Sequence, residues 1–332
     1  MSISYEYLFL FSRAYVKSMR LYYAFITGIA GWLGLAFYEH IATNFQTVEV
    51  LPPTEKKGLI LVLLFLSWGV NQIINDYLGL EEDKINAPER PMVTRALHPQ
   101  GALTVSFFLM AVTGLITWKY LEPIALIPLI IGVLLNVVYE YAKGYGIWGN
   151  IIFGLMITMS SIFGFLAAGP TAPPFFSSSR VSVLILIWVM NGLMTFYTYF
   201  KDYTGDMAAG KRTIIVKYGI ERSRKIAIVS SFLPSLLFIG IYSNGLIVAP
   251  LNKTFVILAF LTLFLQIWTG VLYYRNPQGK TTYDSLATNF RACTCGQATF
   301  IALFNTELAM LLFLVSYIFI GFLFNLHTNH RA

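Results

Sequence analysis

The sequence has too little charge for life in water. Only 12% of its 332 residues are Asp, Glu, Lys or Arg, against 57% hydrophobic and 16% aromatic, which leaves too little polar surface to cover a soluble globule of this length. Cysteine is as scarce. Cys293 and Cys295 are the only two, and a lone C-x-C is too little for a zinc site and too tight for an unstrained disulfide, so two reduced thiols are expected. Runs of about ten residues with alternating polarity are missing, which excludes a membrane β-barrel. The N-terminus lacks a short apolar stretch ending in small residues, so no cleaved signal peptide is expected.

Long apolar runs are what the chain has in quantity. About 20 residues of helix cross ~30 Å of hydrocarbon, and such segments fall near residues 20–40, 57–75, 101–118, 122–142, 149–168, 182–201, 225–243, 254–273 and 298–325. The expected fold is therefore all-α, an integral membrane bundle of nine transmembrane helices, with Trp118 and Tyr120 as an interface belt between the third and fourth. With the N-terminus inside, the outer segments hold only Lys56, Lys57, Lys119, Arg180, Lys253 and Arg331 of the 23 Lys and Arg. The rest, Lys280 and Arg291 among them, lie inside, and this bias predicts a cytoplasmic N-terminus. The net charge of +7 is thus a topology signal and calls for no nucleic acid.

Polar residues gather in two loops on the inner side, Asp76 to Gln100 and Lys201 to Lys225, four spans apart. The spacing suggests two related halves, although only the acidic signature repeats. In KDYTGDMAAGKRT, residues 201–213, a continuing helix would put Asp202 and Asp206 on one face, where like charges repel unless a cation lies between them. The plain alternative is a solvated helix end. The sharper reading is a divalent-metal site, with Gly205 and Gly210 letting backbone approach a ligand. Mg2+ suits it, since that ion takes hard oxygen ligands from one or two carboxylates plus substrate phosphates. Lys211 and Arg212 follow this cluster; Lys84, Arg90 and Arg95 follow the first. Carboxylates, cations and a lipid-embedded cavity together suggest a diphosphate head on an apolar tail.

Three motifs carry a resemblance. Asn75-Asp76 is followed by an acid at Asp83 and then by INAPERP at 85–91. Residues 202–213 read DxxGDxxxGxxT, and Tyr139 to Lys143 reads Tyr-x-x-x-Lys. In this order on one membrane side they resemble the UbiA superfamily of intramembrane prenyltransferases, over nearly the whole chain, so that residues 1–332 read as a single transmembrane domain. The resemblance implies a helical bundle around a central cavity, with Mg2+ bridging an isoprenyl diphosphate to the two acidic motifs at 75–91 and 202–213. By position, Asn75, Asp83, Asp202 and Asp206 would serve the metal, and Tyr139, Lys143 and Arg90 the diphosphate. Lys211 and Arg212 are added from charge and proximity.

The first motif departs from the family pattern at Gly79, where an acid is usual. Glu82, counted here with the metal ligands, could compensate, as could Asp76 or Glu81. The Glu81-Glu82-Asp83 cluster looks like the variant of the terpene-cyclase branch. Both branches begin alike: the charge on departing pyrophosphate is neutralised by Mg2+, Lys and Arg, and an allylic cation forms. It then either folds back on its own double bonds or is captured by an acceptor, commonly an aromatic ring.

Aromatic faces stabilise such a cation by about 0.5–2 kcal/mol each, and Trp68, Tyr139, Tyr141, Phe196, Tyr197 and Tyr199 flank the motifs, although any one of them more often just packs. Asn71 and Asn136 are expected to be interhelical hydrogen-bond partners. Glu140 and Glu307, acids within spans, are candidates to orient substrate or take a final proton. Gly79 and the acidic cluster favour cyclisation. Prenyl transfer to an acceptor is the alternative, and a transporter of an anionic lipid or metabolite, which predicts helices broken at mid-membrane, comes third.

Overall fold

The apolar runs form the frame of the molecule. The structure, a computed structural model, describes residues 5–44, 51–171, 176–279 and 281–328; Lys280 and Arg331, counted in the charge bias, lie outside them. An amphipathic helix α1 (Tyr5–Met19) precedes α2 (Ala24–Asn44) and α3 (Thr54–Leu78). A short α4 (Leu80–Asn86) leads to α5 (Pro99–Tyr120), α6 (Leu126–Ala142), α7 (Trp148–Ala168) and α8 (Ser178–Ala208). Then come α9 (Ile214–Tyr218), α10 (Ile220–Ser230), α11 (Leu233–Ser243), α12 (Lys253–Arg275), α13 (Thr282–Ile301) and α14 (Thr306–Thr328).

Among the described residues, nine helical segments are long and apolar enough to cross a membrane. The first eight fall where the hydropathy put them, and α10 with α11 makes one of the nine. The bundle is inverted relative to a soluble protein. Phe107 and Leu115 of α5, Ile130 and Leu134 of α6, and Phe260 and Phe264 of α12 stand exposed on the outer face, where hydrocarbon is the solvent. The centre is occupied by α2, whose residues from Ala24 to Tyr38 are buried except Trp32. It packs on α7 through small residues: a Cβ at Gly164 would meet the carbonyl of Gly31, and one at Gly34 the carbonyl of Ser161, so the two backbones touch as small-residue interfaces in membranes allow.

The last expected span needs correcting. Residues 298–325 are not one helix: the chain breaks after Ile301 and restarts at Thr306. The 20-residue α13 runs antiparallel between α12 and α14, with Asn252 Nδ2 at the start of α12 donating to the Ala302 carbonyl (2.6 Å) and Thr262 hydrogen-bonded to Thr299. At ~1.5 Å per residue it is as long as the apolar layer is thick. Thr282, Asn289, Thr294, Gln297 and Thr299 lower its hydropathy yet lie buried. Arg291, expected in an inner loop, therefore sits mid-helix, its Nε donating to the Tyr317 carbonyl (2.9 Å). Cys293 and Cys295 are free and buried, as expected.

Asparagines tie the bundle together: Asn136 donates to the Asn71 carbonyl (3.1 Å) and Asn289 to that of Met194 (2.9 Å). Glu307 is not deep in a span. It is exposed in the first turn of α14, where the helix dipole favours an acid.

Candidate active site

The site is built where α3 stops. Gly79 closes α3 and opens α4 with φ −94°, so the helical phase restarts within the first motif. The restart turns Glu82 and Asp83 into the molecule, buried, and leaves Glu81 out in solvent, paired with Lys84. Glu81 is thereby removed from the possible compensating acids. From the other half, α8 carries Asp202 and Asp206 to the same point. The two motifs are joined directly: Asn86 Oδ1 accepts from the Gly205 amide (3.0 Å), and the Asn86 side chain fills the space a Cβ at Gly205 would need. Gly210 takes the left-handed conformation past the end of α8 (φ +73°), and the Lys211 amide bonds back to the Asp206 carbonyl (2.8 Å). This is the usual way a glycine closes a helix. A two-residue parallel pair, β1 (Tyr145–Gly146) with β2 (Arg212–Thr213), then fastens the α6 loop to the α8 loop.

The result is a cavity of about 80 Å³ whose wall includes Asn75, Glu82, Asp83, Arg90, Tyr139, Lys143 and Asp202. Every acid in it meets a cation. Asp83 pairs with Arg90, Asp76 with Arg20, and Asp202 with Lys201 at 2.8 Å. Lys143 bridges Asp206 (3.0 Å) and Glu82 (3.4 Å), and Lys211 bridges Glu82 (2.5 Å) and Glu140. Burial, with Asp76 nearby, pushes the Asp83 carboxyl above its ordinary range despite Arg90. Burial alone would lower the Lys143 ammonium, but Asp206, Asp202, Glu140 and Glu82 together hold it well above its ordinary value. The cation expected between Asp202 and Asp206 is thus supplied by lysines. Asp206 is fully buried, with Lys143 Nζ 3.0 Å from its Oδ1 and no partner at Oδ2, and Asn75 Oδ1 is likewise buried without a donor.

Arg212, expected beside Lys211, is exposed on β2. Within β2 Arg212 faces out and Thr213 in, as neighbouring strand residues do, while Lys211, just before the strand, reaches inward to Glu82 and Glu140. Of the aromatics, Trp68 and Tyr139 line the cavity, Phe196, Tyr197 and Tyr199 pack in a separate cluster, and Tyr141 is exposed. Sequence reasoning did not single out Arg20, Tyr23, Gln72 or Phe153, which line the wall together with Glu140, a span acid it did name. Arg20 holds a left-handed φ of +47°, unusual for a non-glycine residue, and its place at the inner end of the first span was the one available signal. Tyr23 stacks on Trp68 (centroids 4.9 Å apart), and Phe153 meets both Trp68 (5.6 Å) and Tyr139 (5.3 Å).

The donors are carboxylates and an amide oxygen, the hard set that Mg2+ prefers, and the unsatisfied oxygens of Asn75 and Asp206 leave coordination to spare. Among the described residues no three acids, His or Cys converge on one point, because ammonium and guanidinium groups lie between them. The set fits a divalent ion that takes the place of those side chains.

Below Trp68 the cavity is followed by a narrow one of about 50 Å³ that reaches Pro128 and Met159. Those two residues also border an apolar chamber of about 400 Å³ toward the opposite membrane face, walled by Phe37, Phe165, Phe176 and Leu184. Arg180 borders it too, its guanidinium 4.7 Å from the Phe165 ring.

The sequence profile of the UbiA prenyltransferase family matches residues 24–294. The digeranylgeranylglyceryl phosphate synthase of Thermococcus sibiricus is 29% identical over 283 residues, covering 81% of this chain and 89% of its own length. That of Pyrococcus abyssi is 26% identical over 237 residues, 69% of this chain and 80% of its own. A UbiA homolog from Archaeoglobus fulgidus, solved bound to GPP and Mg2+, superposes with a TM-score of 0.61 at 14% identity, over 90% of this chain and 99% of that one.

Proposed function

We propose that this chain, which belongs to the UbiA prenyltransferase family, is a Mg2+-dependent enzyme that moves the isoprenyl group of an isoprenyl diphosphate onto a lipophilic acceptor. The observation that carries the reading is the convergence of both acidic motifs on one cavity that shares Trp68 with an adjoining, mostly apolar cavity. Asn75, Glu82, Asp83, Asp202 and Asp206 would hold the metal, which when bound neutralises charge on the departing diphosphate. Arg20, Arg90, Lys143, Lys201 and Lys211 would then turn from their carboxylates to phosphate oxygens. Tyr139 stands at the junction of head and tail.

The bond between C1 of the prenyl chain and its diphosphate oxygen breaks with its electron pair going to pyrophosphate. The allylic cation left behind lies among the faces of Tyr23, Trp68, Tyr139 and Phe153, which stabilise positive charge and exclude water. An acceptor hydroxyl supplies the electron pair for the new bond and gives up its proton to the departing pyrophosphate.

The row of cavities speaks for a long tail. From Asp202 to Leu184 along α8 is about 27 Å at 1.5 Å per residue, so we assign the donor to the geranylgeranyl class. The relatives' name describes a glyceryl phosphate bearing two such groups, which favours a prenylated or other lipid alcohol as acceptor. These findings reverse the preference for cyclisation drawn from Gly79, and as an enzyme family they set the transporter aside. The same reading takes residues 1–332 as one catalytic unit with its motifs, from two related halves, on the cytoplasmic side.

The test is to give the protein in nanodiscs Mg2+ and geranylgeranyl diphosphate, with and without lipid alcohols, and to follow pyrophosphate release and products by mass spectrometry. Release that depends on acceptor is expected. A cyclic hydrocarbon made without acceptor would overturn the assignment in favour of cyclisation.

A further inference from the structure

We infer that Glu140 supplies the carboxylate missing at Gly79, so that Glu82 and Glu140 form a divalent-cation site at the point now held by the Lys211 ammonium. This rests on the metal-dependent reading above and concerns which residues build its site.

The first observation is spatial. A Cβ built on Gly79 would lie 3.4 Å from Glu140 Oε1 and 3.7 Å from its Cδ. The carboxylate of Glu140 therefore occupies the space into which an acid at position 79 would extend. The acid is delivered from α6, one residue after Tyr139 and three before Lys143.

The second observation is electrostatic. Glu82 from α4 and Glu140 from α6 close on a single cation, Lys211 Nζ. Both side chains are only 11% exposed, and two carboxylates brought so close out of water need a positive charge between them. Among the described residues the one other cation that Glu82 meets, Lys143 at 3.4 Å, is shared with Asp206, which it approaches more closely, at 3.0 Å. Departure of the Lys211 ammonium toward a phosphate would leave Glu82 and Glu140 facing each other, with oxygen ligands suited to Mg2+.

Placing the acid on α6 also explains why Gly79 is tolerated. Glu140 beside an acid at 79 would put two carboxylates in one space, whereas glycine with Glu140 keeps the count constant.

The test measures metal binding separately from turnover. Mn2+ is titrated into wild type, Glu140→Gln, Lys211→Met, Glu140→Ala and the double variant Gly79→Asp/Glu140→Ala in detergent, with bound ion read by electron paramagnetic resonance and folding by thermal unfolding. Gly79 has φ −94°, open to aspartate, and Glu140→Ala vacates the space it needs. Glu140→Gln should weaken Mn2+ binding ~10-fold or more, Lys211→Met should leave it equal or tighter, and the double variant should bind tighter than Glu140→Ala alone. If Glu140 only anchors Lys211, then Glu140→Gln binds Mn2+ as wild type does and Gly79→Asp rescues nothing; either result overturns the inference. Wild type that binds no Mn2+ would overturn the metal-dependent reading itself.

Discussion

The two ends of the row of cavities in this molecule are built from opposite materials. At the motif end every carboxylate is matched by an arginine or lysine within a few ångströms, and the cavity is small. At the far end a chamber several times larger is walled almost wholly by aliphatic and aromatic side chains, with Arg180 the one charge among its described lining residues. Charged pairs in a buried setting are strong but exchangeable, because a divalent ion and a phosphate can each take over one partner. An apolar chamber has nothing to exchange and responds only to size and shape. The same ligand should therefore be felt in two ways: steeply and chemically at its head, gradually and sterically along its tail.

The largest effects should come from the head. Asp83→Asn or Asp202→Asn should lower turnover by ~10³-fold or more, the scale of losing a main source of charge stabilisation, while thermal unfolding of the purified protein stays close to wild type. Arg20→Gln should cost on the order of 10²-fold in kcat, because it removes a cation from the cavity wall and frees Asp76, which Gln72 still holds at 2.9 Å. Wild-type kcat in this variant would remove Arg20 from the account.

The tail should give smaller, length-dependent effects. Met159→Trp, at the neck between the two apolar cavities, should shift the preference for geranylgeranyl over geranyl diphosphate by ~10-fold toward the shorter donor, a steric discrimination of the size one or two methylenes produce. An equal loss with both donors would mean that the tail does not pass Met159. Gly164→Val should leave specificity alone and destabilise the fold by about 1–3 kcal/mol through forced separation of α2 and α7, read as a lowered unfolding temperature. Arg212→Ala, on the exposed strand, should change kcat/KM by less than about twofold, like most surface substitutions.

What was legible in the sequence follows the same division. Apolar periodicity and length give every span but the last, because lipid-facing helices must be hydrophobic outside. The helix α13 escapes this logic: it is sheathed by α2, α8, α12 and α14, so it can carry Thr, Asn and Arg, and hydropathy averages pass over it. At the site, motif spacing identifies Asn75, Asp83, Asp202, Asp206 and Lys143. It cannot distinguish Glu81 from Glu82, since the helical phase is reset at Gly79, nor Lys211 from Arg212, since the left-handed turn at Gly210 and the start of β2 set their directions. Tyr23 and Phe153 carry no signal at all; tertiary packing alone brings them beneath the cavity.

The central claim is that head and tail belong to one ligand. It is tested most directly by a structure of the protein with Mg2+ and a geranylgeranyl thiodiphosphate, whose sulfur slows cleavage. The account predicts the diphosphate between Asp83 and Asp202, with Lys143 or Lys211 turned onto it, and prenyl density running past Trp68 to Met159. A diphosphate bound away from these acids, or a tail leaving the protein before Trp68, would contradict it.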